Sequence, residues 1–115
     1  MIKGYKSLEI YQKAYELALV VHKATERVKD LEIKSQLRRS SKSVAVNIAE
    51  GYGRKYAVAD FKRFLYMSLS SCDETRVWLD FCSDLEILDH ERCKELTTRY
   101  EVLGKQINQT IKVWK

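Results

Sequence analysis

The residues of this chain best suited to chemistry are cationic. Lys34, Arg38, Arg39, Lys42, Arg54, Lys55, Lys62 and Arg63 fall within residues 34–63, opposed only by Glu50 and Asp60. That stretch carries a net charge of +6, more than the +5 of the whole 115-residue chain, so the remainder is nearly neutral. Lys34, Arg38 and Lys42 recur every four residues, which places them on one face of a helix. Arg54 and Lys55 extend the patch into a following loop beside Tyr52 and Tyr56. Such a surface can attract phosphates through its cations and stack a base on a tyrosine. The plainer alternative is a solvated helix face whose charge serves solubility.

Other candidates offer less. His22 and His90 are isolated, without the His-x-x-x-His or Glu-x-x-His spacing of metal-binding bundles, so no metal or other cofactor is expected. Cys72, Cys82 and Cys93 are odd in number and lack Cys-x-x-Cys pairing, which points to reduced core thiols rather than disulfides or zinc ligands. If the third and fourth helices form a hairpin turning near Leu88, Cys82 and Cys93 lie at similar heights. Gly51-Tyr52-Gly53 has no preceding strand and no following Gly-Lys-Ser/Thr, so it does not read as a phosphate loop. No nucleophile with an adjacent base is evident, and an enzyme is not expected.

The elements that must position these residues are helical. Proline is absent, glycine occurs four times and 32% of residues are charged, which suits long uninterrupted helices. The length supports one domain, residues 1–115, around one core. The longest apolar run, Leu17 to Val21, is too short to span a membrane, and the basic start at Lys3 and Lys6 leads into an amphipathic segment containing Glu9 and Glu16 rather than a secretory signal. A cytoplasmic protein is expected.

The first helix is expected from Ser7 as N-cap to about residue 29. One stripe holds Leu8, Tyr11, Tyr15, Ala18, His22 and Thr25, and another holds Ile10, Ala14, Leu17, Val21 and Val28. After Asp30, Leu31 and Glu32, a second helix covers about 33–50 and ends on Gly51 as a left-handed cap. Its buried stripe is Leu37, Ser41, Val44 and Ile48, beside a polar stripe of Gln36, Ser40, Ser43, Asn47 and Glu50. A third helix follows over about 57–85, and Asp89 caps a fourth that runs to about residue 114, with Gly104 inside it as a mark of close contact. Short links make neighbours antiparallel, so the expected fold is an all-α, up-down-up-down four-helix bundle. Ile10, Ala14, Leu17 and Val21, or the seam of Ser40, Ser43 and Asn47, supply apolar or small surfaces beyond those one bundle core requires, available for self-association unless a wide core absorbs them.

Gln36-Leu37-Arg38-Arg39-Ser40, Asn47-Ile48-Ala49-Glu50-Gly51 with Gly53-Arg54, and Ser71 with Glu74 together resemble a family of bacterial four-helix-bundle proteins. Some of these are encoded by intervening sequences within large-subunit ribosomal RNA genes. The opening Leu8-Glu9-Ile10-Tyr11-Gln12-Lys13-Ala14 also matches, and the resemblance covers nearly the whole chain; Ser70-Ser71 stands where the family usually has glycine-serine. It implies a homopentameric, barrel-like assembly and, through a related accessory protein of diversity-generating retroelements, contact with nucleic acid. It also singles out the carboxylates Glu50 and Glu74. Glu74 falls roughly opposite Arg38 and Arg39, which favours an ion pair and a helix-end cap over general acid or base chemistry.

The combined expectation is a non-enzymatic homo-oligomer binding RNA or DNA through Lys34, Arg38, Arg39, Lys42, Arg54 and Lys55. Asn47, Glu50, Gly51, Ser71 and Glu74 shape its helix contacts. Arg39 leaves the binding set if it pairs with Glu74. The competing expectation is a scaffold whose basic face meets a protein partner with an acidic surface.

Overall fold

A computed structural model describes residues 4–115; Lys3, part of the basic start considered above, lies outside them. A single 3-10 turn, Tyr5–Ser7, precedes four α-helices: α1 Glu9–Ala24, α2 Leu31–Tyr52, α3 Val58–Asp84 and α4 His90–Val113. Each packs on its neighbour in sequence, and α4 closes the square against α1 along the sparsest of the four seams. The result is an antiparallel four-helix bundle measuring 44 × 23 × 20 Å. Among the described residues no helix is long and apolar enough to cross a membrane.

The apolar stripes read from the sequence meet in one core. Leu37, Val44 and Ile48 of α2, Phe61, Leu65 and Leu79 of α3, and Leu96, Tyr100 and Ile107 of α4 are fully buried. Cys72, Cys82 and Cys93 are buried free thiols, and Cys93 lies near enough to Cys82 to disfavour the Cys82 thiolate, after the larger effect of burial. Burial of apolar area is the main force holding these helices together.

The helix ends depart from expectation in instructive ways. Ser7 does not cap α1; its hydroxyl turns back to the Gly4 carbonyl at 2.8 Å, leaving Leu8 in the N-cap position. α1 ends at Ala24 rather than near residue 29, where the Thr25 hydroxyl donates to the Val21 carbonyl at 2.9 Å. Asp30, taken from sequence as part of a connection, caps α2 by accepting from the Ile33 amide. Asp89 caps α4 in the same way through the Arg92 amide, as expected.

Gly51 is not a left-handed cap. The helix runs through it to Tyr52, and Gly53 follows with right-handed φ/ψ. What requires glycine at position 51 is space: a Cβ there would lie 2.7 Å from the Phe64 Cβ and 3.1 Å from Phe61 Cδ1. Among the described residues the left-handed one is Glu86, with φ of 56°, in the turn after α3, where the Ile87 and Leu88 amides both return to the Cys82 carbonyl. Gly104 has no such crowding, its nearest prospective contact being Leu69 at 3.8 Å.

Candidate nucleic-acid interface

The six cations singled out from sequence do not form one surface. Lys34 and Lys55 are 21 residues apart, about 30 Å along a helix, and three of the four on the first part of α2 are engaged within the chain. Arg38 donates to the Thr25 hydroxyl at 2.8 Å and to the His22 carbonyl at 2.7 Å, and the Lys34 ammonium donates to the Glu26 carbonyl at 3.1 Å. Both therefore satisfy groups at the C-terminal end of α1, where carbonyls lack helical partners and positive charge is favoured. Arg39 donates to Gln36 and pairs with Glu74 at 3.1 Å, and so leaves the binding set. Glu74 also accepts from the Trp78 indole at 3.0 Å.

Arg38 and Arg39 sit side by side in sequence yet serve different neighbours. Consecutive residues point about 100° apart around a helix, so one reaches α1 and the other α3. Glu74 pairs with Arg39 alone.

Ser71 and Asn47, two of the residues expected to shape helix contacts, are hydrogen-bonded along the α2–α3 boundary. The Ser71 hydroxyl donates to the Ser43 hydroxyl at 2.9 Å, and the Asn47 amide donates to the Ser43 carbonyl and hydroxyl. The Thr75 hydroxyl meets that of Ser40 at 2.9 Å, and the Ser68 hydroxyl donates to the Val44 carbonyl at 2.8 Å. The seam of Ser40, Ser43 and Asn47 is thus occupied within the chain. So are Ile10, Ala14, Leu17 and Val21, all buried in the core. The four apolar residues are absorbed by the core and offer no surface for self-association, while Ser43 and Asn47 remain partly exposed. Glu50 takes no part in this boundary; it is exposed on the other side of α2.

One exposed apolar surface lies between α1 and α2, and Tyr15 of the first helix's sequence stripe is part of it. Tyr15 and Leu19 on α1 and Val46 on α2 are half exposed, and with Tyr5, Tyr11 and Ala18 they line a groove of about 570 Å³ between α1 and α2. His22, Lys42 and Glu50 edge the groove. Partial desolvation holds the His22 imidazole below its ordinary pKa, and nearby Arg38 and Lys42 push in the same direction.

The remaining cations gather at one end of the bundle. Arg54 and Lys55 lie in the α2–α3 turn and Lys62 and Arg63 in the first turns of α3. The Lys55 ammonium lies 4.2 Å from the Tyr52 ring centre and 5.5 Å from that of Tyr56, while Arg54 and Arg63 both approach Phe64. Trp114 packs edge-on to Phe61 at 4.7 Å and near Tyr52, which brings Lys112 and Lys115 to the same end. Of the acids near this end, Asp60 pairs with Arg63 and Glu9 with Lys13, while Glu50 lies exposed at the edge of the α1–α2 groove. Tyr56 is 93% exposed. Lys112 and Lys115 escaped the sequence reading because only the return of α4 brings them here. Among the described residues no cluster of histidine, cysteine or carboxylate side chains is arranged to hold a metal ion.

Fold and surface together define a small helical bundle with a cationic, aromatic end. Residues 6–109 match the model of the 23S rRNA-intervening sequence proteins, and the chain belongs to that family. It is similar in fold to a crystal structure from Bacteroides thetaiotaomicron, described as a protein of unknown function from the S23 ribosomal protein family. The TM-score is 0.82 at 24% identity, covering 90% of this chain and 99% of that one. No curated protein matches the sequence.

Proposed function

We propose that this protein is a non-enzymatic, cytoplasmic homo-oligomer, pentameric like the family it resembles, that binds the backbone of RNA or DNA through the cationic end of its bundle. The observation that carries this reading is the gathering of Arg54, Lys55, Lys62, Arg63, Lys112 and Lys115 at the end of the bundle that also exposes the Tyr56 ring, with Lys55 5.5 Å from it. Counter-ion release would drive binding, and Tyr56 offers a base a stacking surface. Lys42, exposed on the side of α2, lies apart from this end. Arg38 and Arg39 serve the fold.

The test is fluorescence anisotropy with structured RNA, single-stranded RNA and duplex DNA at two salt concentrations. Binding should weaken steeply with salt. Arg54→Ala/Lys55→Ala should flatten the logarithmic salt dependence by about 1.8 for duplex, or about 1.4 for single strands. Tyr56→Ala should selectively weaken single-strand binding. Absence of binding at low salt, or binding indifferent to these substitutions, would refute the reading and leave recognition of an acidic protein as the alternative.

A further inference from the structure

The groove between α1 and α2 is matched by a second exposed apolar surface on the far side of the molecule. Along the outer face of α3, Tyr66, Met67 and Val77 are 56%, 43% and 50% exposed. Exposed apolar patches of this kind mark association surfaces. The two patches differ in composition and lie on different helices, so a contact between them is heterologous, the kind that closes copies into a ring when its rotation allows.

Charge gives the pairing a direction. On α2 the groove is flanked by Lys42 and, eight residues later, Glu50, about 12 Å apart along the helix. On α3, Tyr66 and Met67 are flanked by Arg63 and, ten residues later, Asp73, about 15 Å apart. Laid antiparallel, α2 of one copy and α3 of another bring Lys42 against Asp73 and Glu50 against Arg63, with Tyr66 and Met67 over Val46. Laid parallel, the same helices oppose like charges at both edges.

The antiparallel arrangement also makes geometric sense. Since α2 and α3 already run antiparallel within one copy, two copies joined this way point in the same direction, as in a ring whose axis runs along the bundles. Asp73 and Arg63 hold exposed ion pairs at present, with Arg76 at 3.5 Å and Asp60 at 3.8 Å, and Arg63 also lies 4.8 Å from the Phe64 ring centre. Exchanging such pairs costs little. At the groove, His22 Nδ1 has no hydrogen-bond partner within the chain.

We infer that the α1–α2 groove of one copy receives the outer face of α3 from a second copy, with Lys42 facing Asp73 and Glu50 facing Arg63. This rests on the self-association proposed above; it takes Arg63 from the cationic end into the contact and uses none of the other cations proposed there. It is tested by sedimentation velocity on the full chain, freed of nucleic acid, with folding checked by circular dichroism. Leu19→Glu spoils the groove and Met67→Glu spoils the α3 face, both at exposed positions.

Each variant alone should be monomeric. An equimolar mixture should form a heterodimer and nothing larger, because one intact groove meets one intact α3 face. Lys42→Glu or Asp73→Lys alone should weaken assembly about tenfold, and the two together should restore it. A monomeric wild type would overturn both this inference and the self-association reading. An oligomer indifferent to Leu19→Glu and Met67→Glu would overturn this inference alone, as would a mixture that stays monomeric or a charge exchange without rescue. Persistence of assembly in Met67→Glu alone would show groove-to-groove contact instead.

Discussion

Replacing Gly51 by alanine separates two opposing effects that sequence alone would rank wrongly. In the interior of a helix, alanine is favoured over glycine by about 0.8–1 kcal/mol. Here the new methyl would stand 2.7 Å from the Phe64 Cβ and 3.1 Å from Phe61 Cδ1, well inside the roughly 3.5–4.0 Å at which carbon atoms attract. The Phe64 Cβ is fixed to its backbone and cannot rotate away, so α2 and α3 must separate. Overpacking of this kind costs about 1–3 kcal/mol. After subtraction of the propensity gain, Gly51→Ala should destabilise by about 1 kcal/mol, and by about 2 kcal/mol at most, lowering Tm by about 4 °C, and by about 8 °C at most, in a domain of this size. Gly104→Ala is the control: its nearest contact is 3.8 Å away, so propensity wins and stability should rise by up to about 1 kcal/mol. Urea and thermal unfolding followed by helical circular dichroism measure both. A Gly51→Ala protein as stable as the wild type would refute the argument that close helix approach, rather than backbone conformation, requires this glycine.

Removing the Arg38 guanidinium strips two charge-assisted bonds from the end of α1, so Arg38→Ala should cost about 2 kcal/mol, whereas Lys42→Ala should stay within about 0.5 kcal/mol; urea midpoints distinguish them. Because folding depresses the His22 pKa, the unfolded chain binds more protons just below its ordinary value of 6.5. Stability should therefore fall as pH drops through 6.5 toward the lowered folded value, and His22→Gln should flatten that part of the profile. Arg38, Lys42 and Lys34 act against protonation there and Glu26 favours it. Burial pushes the Cys72 thiol up to about 12 and the Cys82 thiol up to about 11, and raises Cys93 too, so maleimide should label all three only after denaturation. Glu86→Gly should stabilise by a few tenths to about 1 kcal/mol by relieving the left-handed conformation; unchanged or lower thermal stability would count against that.

The helices and most of the core were legible because Leu37, Val44 and Ile48, or Leu96, Leu103 and Ile107, repeat at helical spacing. Pairings within the bundle were less so. Arg38 and Arg39 look equivalent in the chain, and only the order of helices around the bundle decides that one caps α1 while the other meets Glu74. Gly51 advertises a helix stop by its residue type, but its reason lies in Phe64 on another helix. Tyr11 and Tyr15 share the spacing of core residues, and nothing local reveals that the seam they face is open. The cationic end was half visible: Arg54 and Lys55 adjoin Tyr56 in sequence, whereas Lys112 and Lys115 arrive through the topology.

The hydroxyl contacts between α2 and α3 fix the longitudinal register of the two helices. Ser68, Ser71 and Thr75 find partners at Val44, Ser43 and Ser40 at successive turns, so a slip of one turn, about 5.4 Å, would break all three at once. A purely apolar boundary would resist sliding less sharply, since one methyl packs nearly as well as the next. The lengthwise offset between Arg54 and Lys55 at the end of α2 and Lys62 and Arg63 at the start of α3 is therefore built in. Any polyanion that engages both pairs has to match a spacing set by serines and a threonine elsewhere along the bundle.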